Sequence, residues 1–263
     1  MLSYQHAYHA GNMADLHKHS VLAVALDYLV QKPKPLTYIE THAGRGLYDL
    51  AGPEAARTGE AARGIGTQAL PDGHPLGRVL DAVRARHGRD AYAGSPLIAT
   101  GLLRDEDRMH LAELHPQEHD ALARVMRQQT PRPKVYRQDG AKLAMSLAPP
   151  DPRRGLCLID PSWEVKSDYQ EMPRLLAKLH RAWSVGVLIL WYPVLTSGAH
   201  RPMLRAIGDA LPEAEIHEIG FPPAREGHGM VGSGLVLINP PFGLKGELER
   251  LSSLFPPGPD RPN

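Results

Sequence analysis

Apolar positions recur at helical spacing near the start of the chain and form continuous runs in its second half. Between Ala14 and Lys32, leucine and valine return every three or four residues, which predicts a helix that Pro33 ends. Short runs such as 155–160 (GLCLID) and 185–192 (VGVLILWY) are almost wholly apolar and alternate with helical patterns. Continuous apolar strands between helices are typical of a parallel sheet that is covered on both faces.

The predicted elements form one α/β domain over residues 1–263 with a helical insertion. Strands are predicted at 36–41, 108–114, 134–137, 155–160, 185–192, 215–220 and 235–239, with helices at 116–129, 169–184 and 201–210. Residues 51–93 are rich in glycine, alanine and arginine and lack a strong strand, so we expect an inserted helical subdomain with a helix at 76–86. We expect Ser95 to cap the next helix, and the proline-rich residues 256–263 to form a loose tail.

Composition excludes few function classes. Hydrophobic residues make up 42% of the chain and charged residues 22%, which is ordinary for a globular enzyme, and no run approaches the roughly 20 apolar residues of a membrane helix. The only cysteine, Cys157, lies within a predicted strand, which fits a buried residue in a reducing cytosol, so we expect a cytoplasmic protein. The formal net charge is +1, so any prediction of nucleic-acid binding must rest on local sites.

Four successive predicted strands end at or next to an acidic residue: Glu40, Glu113, Asp139 and Asp160. Ligands of an open parallel sheet bind beyond the carboxyl ends of its strands, where carboxylates can accept hydrogen bonds from ribose hydroxyls or an adenine amino group. Each acidic residue alone is as typical of a helix cap, but the four together indicate a nucleotide-like ligand. The turn at 44–46 (GRG) lacks the third glycine of the dinucleotide fingerprint, which disfavours a dinucleotide oxidoreductase.

The sequence Asp160-Pro161-Ser162-Trp163 follows the fourth of these strands. Its carboxylate can accept a hydrogen bond from an amino group, and the proline stiffens the backbone so that a neighbouring carbonyl can accept a second one. Trp163 offers a flat apolar face for base stacking. Two acceptors around an aromatic amine favour the pyramidal nitrogen that forms as it attacks a methyl group. The alternative is a turn in which Asp160 caps the following helix.

The chain resembles the bacterial 23S ribosomal RNA adenine-N6 methyltransferases of the RlmJ type over residues 1 to about 242. The likeness is carried by the following segments: 1–19 (MLSYQHAYHAGNMADLHKH), 41–50 (THAGRGLYDL), 57–60 (RTGE), 94–99 (GSPLIA), 113–116 (ELHP), 159–164 (IDPSWE), 190–194 (LWYPV) and 233–241 (SGLVLINPP). Long matched segments in the same order are more specific than any single motif.

This resemblance implies a Rossmann-like class I methyltransferase sheet of seven mostly parallel strands, with a small helical subdomain inserted after the first strand. It implies S-adenosylmethionine as the methyl donor and 23S rRNA, protein-free or partly assembled, as the substrate of a monomeric enzyme. Carried over position by position, the contacts to the cofactor would come from His19, His42, Ser95, Glu113, Asp139, Gly140 and Asp160.

The resemblance also implies that Asp160 is catalytic and that Tyr4, His6 and Lys18 contribute to methyl transfer. The chain departs from the family at one point, because the usual motif is Asp-Pro-Pro-Tyr. Tryptophan keeps the stacking surface and loses the phenol hydroxyl, and serine restores a backbone N–H. His17 and His19 have the spacing of a metal pair, but no convincing carboxylate or cysteine completes it.

Two alternatives stay open at this stage. The accepting amine can belong to DNA adenine or to a protein glutamine, since related motifs serve those substrates. The chain can also be a non-catalytic RNA-binding protein that keeps the fold. Basic clusters at 84–89 (RARHGR) and 153–154 (RR), together with Lys166, would then contact RNA, although such clusters are more often solvated surface.

Overall fold

The computed structural model of the protein describes residues 6–66, 70–223, 227 and 229–255. The expected tail at 256–263 and the predicted catalytic residue Tyr4 lie outside the described residues. The strands are β1 (Thr37–Glu40), β2 (Leu47–Asp49), β3 (Ala91–Ala93), β4 (Arg108–Ala112), β5 (Lys134–Tyr136), β6 (Gly155–Ile159), β7 (Val187–Leu195), β8 (Glu215–Gly220) and β9 (Met230–Ile238). The α-helices are α1 (Met13–Val30), α2 (Pro53–Thr58), α3 (Glu60–Arg63), α4 (Pro75–His87), α5 (Ser95–Leu102), α6 (Pro116–Met126), α7 (Gly140–Leu147), α8 (Asp168–Ala182), α9 (Arg201–Ala210) and α10 (Lys245–Leu254).

Seven strands form one sheet in the order β5-β4-β1-β6-β7-β9-β8. The first five strands of this order run parallel, and β9 is antiparallel to both of its neighbours. The predicted seven-stranded, mostly parallel sheet is therefore confirmed. Strand β9 begins five residues before the predicted start at Leu235, because glycine and serine at 232–234 weaken the strand signal in the sequence.

The central strand β6 packs against a layer of helices on each face of the sheet. Its side chains alternate between two hydrophobic clusters: Leu156 and Leu158 face the layer that contains α1, while Cys157 and Ile159 face the layer that contains α8 and α9. All five residues of the strand are buried. This two-sided burial is why the sequence shows a continuous apolar run in place of alternation.

The segment predicted as a helical insertion without a strong strand, residues 51–93, ends in the three-residue strand β3. Strand β3 pairs antiparallel with β2 to form a two-stranded ribbon, and α2, α3 and α4 lie between the two strands in the chain. Each strand has three residues, too few to give a recognisable period in the sequence. The predicted helix at 76–86 is confirmed as α4.

The predicted N-cap of α5 was also wrong. The cap is Gly94, and Ser95 is the first residue of the helix, where its hydroxyl donates a hydrogen bond to the Glu40 carboxylate. Helices α7 and α10 were not predicted. Among the described residues, no helix is both long and apolar enough to cross a membrane.

Candidate active site

A cavity of about 580 Å³ opens at the carboxyl ends of β1, β4 and β6. Its volume is in the usual range for a cofactor site. The described residues that the sequence assigns to the site all contribute to its wall: His6, Lys18, His19, His42, Ser95, Glu113, Asp139, Gly140, Asp160 and Trp163. These residues come from the turn before α1, from α1 itself, from the segments that follow β1, β4, β5 and β6, and from the start of α5, so the fold brings together what is dispersed along the chain.

Asp160 follows β6 directly and is held by a lysine from α1. Lys18 Nζ donates a hydrogen bond to Asp160 Oδ2 at 2.6 Å and lies 3.1 Å from Asp15 Oδ1. Lys18 is 4% exposed. Burial alone would lower the Lys18 pKa, but the attraction of Asp160 and Asp15 raises it above its usual value. The second oxygen of Asp160, Oδ1, has no hydrogen-bond partner among the described residues and remains available as an acceptor.

Asp15 organises this end of α1, and sequence reasoning missed it. Its Oδ2 accepts hydrogen bonds from His6 Nε2 at 2.9 Å and from the Gly11 backbone N–H at 2.8 Å. Burial would raise the Asp15 pKa, but the hydrogen-bonded His6 and the adjacent Lys18 ammonium hold it well below its usual value. In the sequence Asp15 looks like an ordinary first-turn acid that complements the helix dipole, so nothing there indicates its burial.

His19 and His42 both line the cavity. His19 Nδ1 is 2.7 Å from the Tyr92 hydroxyl, and burial lowers the His19 pKa to about 3. His42 Nδ1 is 2.7 Å from Thr41 Oγ1, and burial again lowers the histidine pKa. Both rings are therefore neutral at physiological pH and can donate or accept one hydrogen bond without adding charge.

Glu113 is fixed by the backbone of two loops. Its Oε2 accepts from the Gly44 N–H at 2.9 Å and its Oε1 from the His115 N–H at 2.7 Å. Burial raises the Glu113 pKa, and these two hydrogen bonds act in the opposite direction. A carboxylate has about four acceptor positions, so Glu113 keeps capacity for a ligand. Gly44 has a φ of 61°, which favours glycine at the turn that approaches the carboxylate.

Asp139 and Gly140 begin α7 at the cavity edge. The Asp139 side chain accepts from the Lys142 N–H at 2.9 Å, so this residue is the helix cap that an acidic strand end often proves to be. Gly140 packs directly on the end of β1, and a Cβ there would overlap the Thr41 carbonyl. The helix terminus can reach the cavity only because residue 140 has no side chain.

The expectation that Glu40 faces a ligand was wrong. This carboxyl group is fully buried and accepts hydrogen bonds from the hydroxyls of Tyr38, at 2.8 Å, and Ser95. Burial raises the Glu40 pKa to about 8. Ser95 lines the cavity, but its hydroxyl donates to Glu40.

Trp163 exposes less of its ring than a side chain on which a base stacks. It is 8% exposed, has a φ of 59°, and packs against Tyr169 with 4.8 Å between ring centroids. The left-handed backbone turns the corner after Asp160 and directs the indole into the wall of the cavity. The indole Nε1 is buried and has no hydrogen-bond partner among the described residues.

His17 points away from the cavity, into a chain of hydrogen bonds. Trp191 Nε1 donates to Ser233 Oγ, which lies 2.9 Å from His17 Nδ1, and His17 Nε2 lies 2.9 Å from His217 Nδ1. His217 Nε2 then faces the Leu248 carbonyl, a pure acceptor, at 3.1 Å. The Ser252 hydroxyl lies 2.9 Å from the same His217 nitrogen, so the direction of the hydrogen bonds through the two rings depends on their tautomers.

His17 and His19 of α1 therefore have different partners and do not form a metal-binding pair with each other. In the described part of the chain, no group of three or more His, Cys, Asp or Glu side chains is arranged to hold a metal ion. The basic pair 153–154 precedes β6, so it lies at the opposite edge of the sheet from the cavity. Arg154 there donates to the backbone carbonyls of Leu29 and Lys34.

Comparison with known proteins shows the family of the chain. The family model described as "Ribosomal RNA large subunit methyltransferase D, RlmJ" matches residues 33–255. The chain belongs to the RlmJ family. It is 37% identical to the Escherichia coli "Ribosomal RNA large subunit methyltransferase J", over 98% of this chain and 96% of that protein. The Haemophilus influenzae protein of the same name is 36% identical, with 95% and 92% covered.

A solved structure supports the fold directly. A crystal structure of a Legionella pneumophila protein superposes with a TM-score of 0.82 at 35% identity and covers 95% of each chain.

The predicted family is confirmed, and with it the prediction of an rRNA methyltransferase. The non-catalytic alternative is correspondingly disfavoured, whereas the roles of individual site residues in this RlmJ-family chain stay predictions.

Proposed function

We propose that this RlmJ-family enzyme transfers a methyl group from S-adenosylmethionine to N6 of an adenine in 23S rRNA. The observation that carries the proposal is the position of Asp160, at the end of β6 and in the cavity wall, with Oδ2 held by Lys18 and Oδ1 available. An acceptor fixed in this way suits an amino group that must be held while its nitrogen is methylated.

The cavity fits the proposed cofactor in its chemistry. Glu113 stands at the end of β4 with spare acceptor capacity, as ribose hydroxyls require. Leu114 beside it is 48% exposed, an apolar surface suited to one face of an adenine ring. Asp139 is half-buried in the loop after β5, lines the cavity and can accept from an exocyclic amino group. We assign these three residues to the nucleoside part of S-adenosylmethionine.

S-adenosylmethionine supplies an electrophilic methyl group on a sulfonium centre. Asp160 accepts a hydrogen bond from the adenine amino group, and a backbone carbonyl next to Pro161 accepts the second. These two acceptors favour a pyramidal nitrogen whose lone pair points towards the methyl group. Asp160 need not be a strong base, because the amine becomes acidic only as the new bond forms, and its proton then leaves to solvent.

Lys18 supports this arrangement by direct contact with Asp160, and His6 supports it through Asp15. Lys18 Nζ contacts both Asp15 and Asp160, and His6, which precedes α1, contacts Asp15. These contacts set the position of the Asp160 carboxylate relative to the cavity. We therefore assign Lys18 and His6 to the positioning of Asp160. The role of Tyr4 stays a prediction from the family resemblance.

The target base is proposed to leave its RNA helix and pack against the Trp163–Tyr169 pair. An adenine inside a duplex cannot present its amino group to a recessed carboxylate, so the nucleotide must be extruded or single-stranded. The small exposed fraction of Trp163 implies that the base meets the rim of the pair, or that Tyr169 moves to uncover the indole.

The test is transfer of labelled methyl groups from S-adenosylmethionine to protein-free large-subunit rRNA, followed by nucleoside analysis. We expect N6-methyladenosine as the labelled product. Competition with single-stranded DNA and with a glutamine-containing protein acceptor separates the alternative amine substrates. Label in deoxyadenosine or glutamine, with none in the rRNA, would contradict the proposal.

A further inference from the structure

A second cavity of about 940 Å³ lies between α8 and α9 and adjoins the active site. The two cavities share Trp163, Tyr169 and Leu195 in their walls. The corner that follows Asp160 therefore has the active-site cavity on one side and this groove on the other. A polymeric substrate that enters the active site across this corner would place the unit next to the reacting one in the groove.

The lining of the groove suits a nucleotide strand. Its floor carries small apolar side chains, among them Pro173 and Ala177 of α8 and Ala206 of α9, which leave room for a flat ring or a ribose. Two exposed cations, Lys166 and Arg174, stand on its described lining. Neither has an ion-pair partner among the described residues, so both are available to an anion.

The balance of charge on the groove favours phosphate. Of the charged side chains on the described lining, Lys166 and Arg174 are basic and Glu164 is acidic. The protein as a whole has a formal net charge of +1, so this local excess is not a reflection of a generally basic surface. A basic groove that ends at an aromatic pair is the combination that proteins use to hold single-stranded nucleic acid.

The shared wall also carries an unpartnered donor. Trp163 is 8% exposed and its Nε1 has no hydrogen-bond partner in the described structure. An indole N–H can only donate, and buried donors are nearly always paired. A small movement of the Trp163–Tyr169 pair would present this donor to an acceptor oxygen of a strand that crosses the corner.

We propose that the groove between α8 and α9 binds the RNA strand next to the target adenosine, with Lys166 and Arg174 contacting its phosphates. This inference rests on the proposed function, because it places the flanking nucleotides of that substrate. Binding here is independent of base identity, since phosphate contacts position a strand and carry no sequence information.

The test compares Lys166→Glu/Arg174→Glu with wild type and with Lys245→Glu, an exposed lysine that lines neither cavity. Affinity for protein-free large-subunit rRNA is measured between 50 and 200 mM salt. We expect the double variant to bind at least about tenfold more weakly, and the slope of log affinity against log salt to shrink by about 1.4, the value for two single-strand phosphates. Lys245→Glu should match wild type.

The controls separate this inference from a folding defect and from the proposed function. Lys166→Gln/Arg174→Gln should show the same reduction of the salt slope, and S-adenosylmethionine affinity should be unchanged in both double variants. A wild-type salt slope in both, with wild-type methylation of the rRNA intact, would overturn the groove assignment. If wild type methylates no adenine in RNA, the proposed function fails, while the salt slopes still report whether the groove binds RNA.

Discussion

Lys18 and Asp160 form a salt bridge of 2.6 Å between Nζ and Oδ2, although 142 residues separate them in the chain. Both side chains are largely buried, with 6% and 14% exposed. The bridge joins the N-terminal helix to the end of the central strand β6. It therefore fixes the carboxylate that is proposed to hold the substrate relative to α1.

Replacement of Lys18 by Met should cost stability as well as activity. It leaves Asp15 and Asp160 close together in a buried site, and breaking a buried ion pair costs about 3–5 kcal/mol. Denaturant unfolding of Lys18→Met measures this cost, with the exposed Lys245→Met as the control. In a double-mutant cycle with Asp15→Asn, we expect a smaller loss than the sum of the two single variants. Strict additivity would contradict the coupling.

Glu40→Gln should change how stability depends on pH. Burial raises the Glu40 pKa to about 8 from the usual 4.5, so its protonated form stabilises the fold below pH 4.5 and this contribution is lost as pH rises to 8. The glutamine variant does not titrate, so the free energy of unfolding should decline less between pH 5 and 8 than in wild type. Parallel curves for the two proteins would show that Glu40 is ionised throughout.

Gly140→Ala should weaken both the fold and cofactor binding. The new Cβ overlaps the Thr41 carbonyl and forces α7 away from β1, at a cost of about 1–3 kcal/mol. Gly208→Ala in α9 is the matched control, because a Cβ there meets no atom within 4 Å. That variant should be more stable than wild type by about 0.5–1 kcal/mol. Equal effects of the two substitutions would refute the steric account.

Ser233→Ala should disturb the cavity through Trp191, the lining residue that Ser233 contacts. Ser233 Oγ accepts from Trp191 Nε1 and pairs with His17, so the substitution leaves two groups without partners, at a cost of about 1–3 kcal/mol. Trp191 lines the active-site cavity, and Lys18 Nζ lies 5.5 Å from its ring centroid. We expect a higher KM for RNA alongside the lower stability. Ser253→Ala, on the exposed end of α10, should change neither.

The positions of the large-sheet strands along the chain and the corner after β6 could be predicted because continuous apolar runs and strand-end chemistry are local signals. The side of the sheet towards which Glu40 points could not be predicted. A strand that is buried on both faces shows no alternation of apolar and polar residues that would distinguish them. Asp15 was missed for a similar reason. Its partners Gly11 and His6 precede the helix, and only the folded loop brings them to the carboxylate.

The central claim is that Asp160 holds an rRNA adenine for methylation. The most direct measurement is mass spectrometry of rRNA nucleosides from cells that lack this protein and are complemented with wild type or with Asp160→Asn. We predict that wild type restores one N6-methyladenosine and that Asp160→Asn does not, with a loss of at least about a hundredfold in transfer rate in vitro. Equal restoration by both proteins would contradict it.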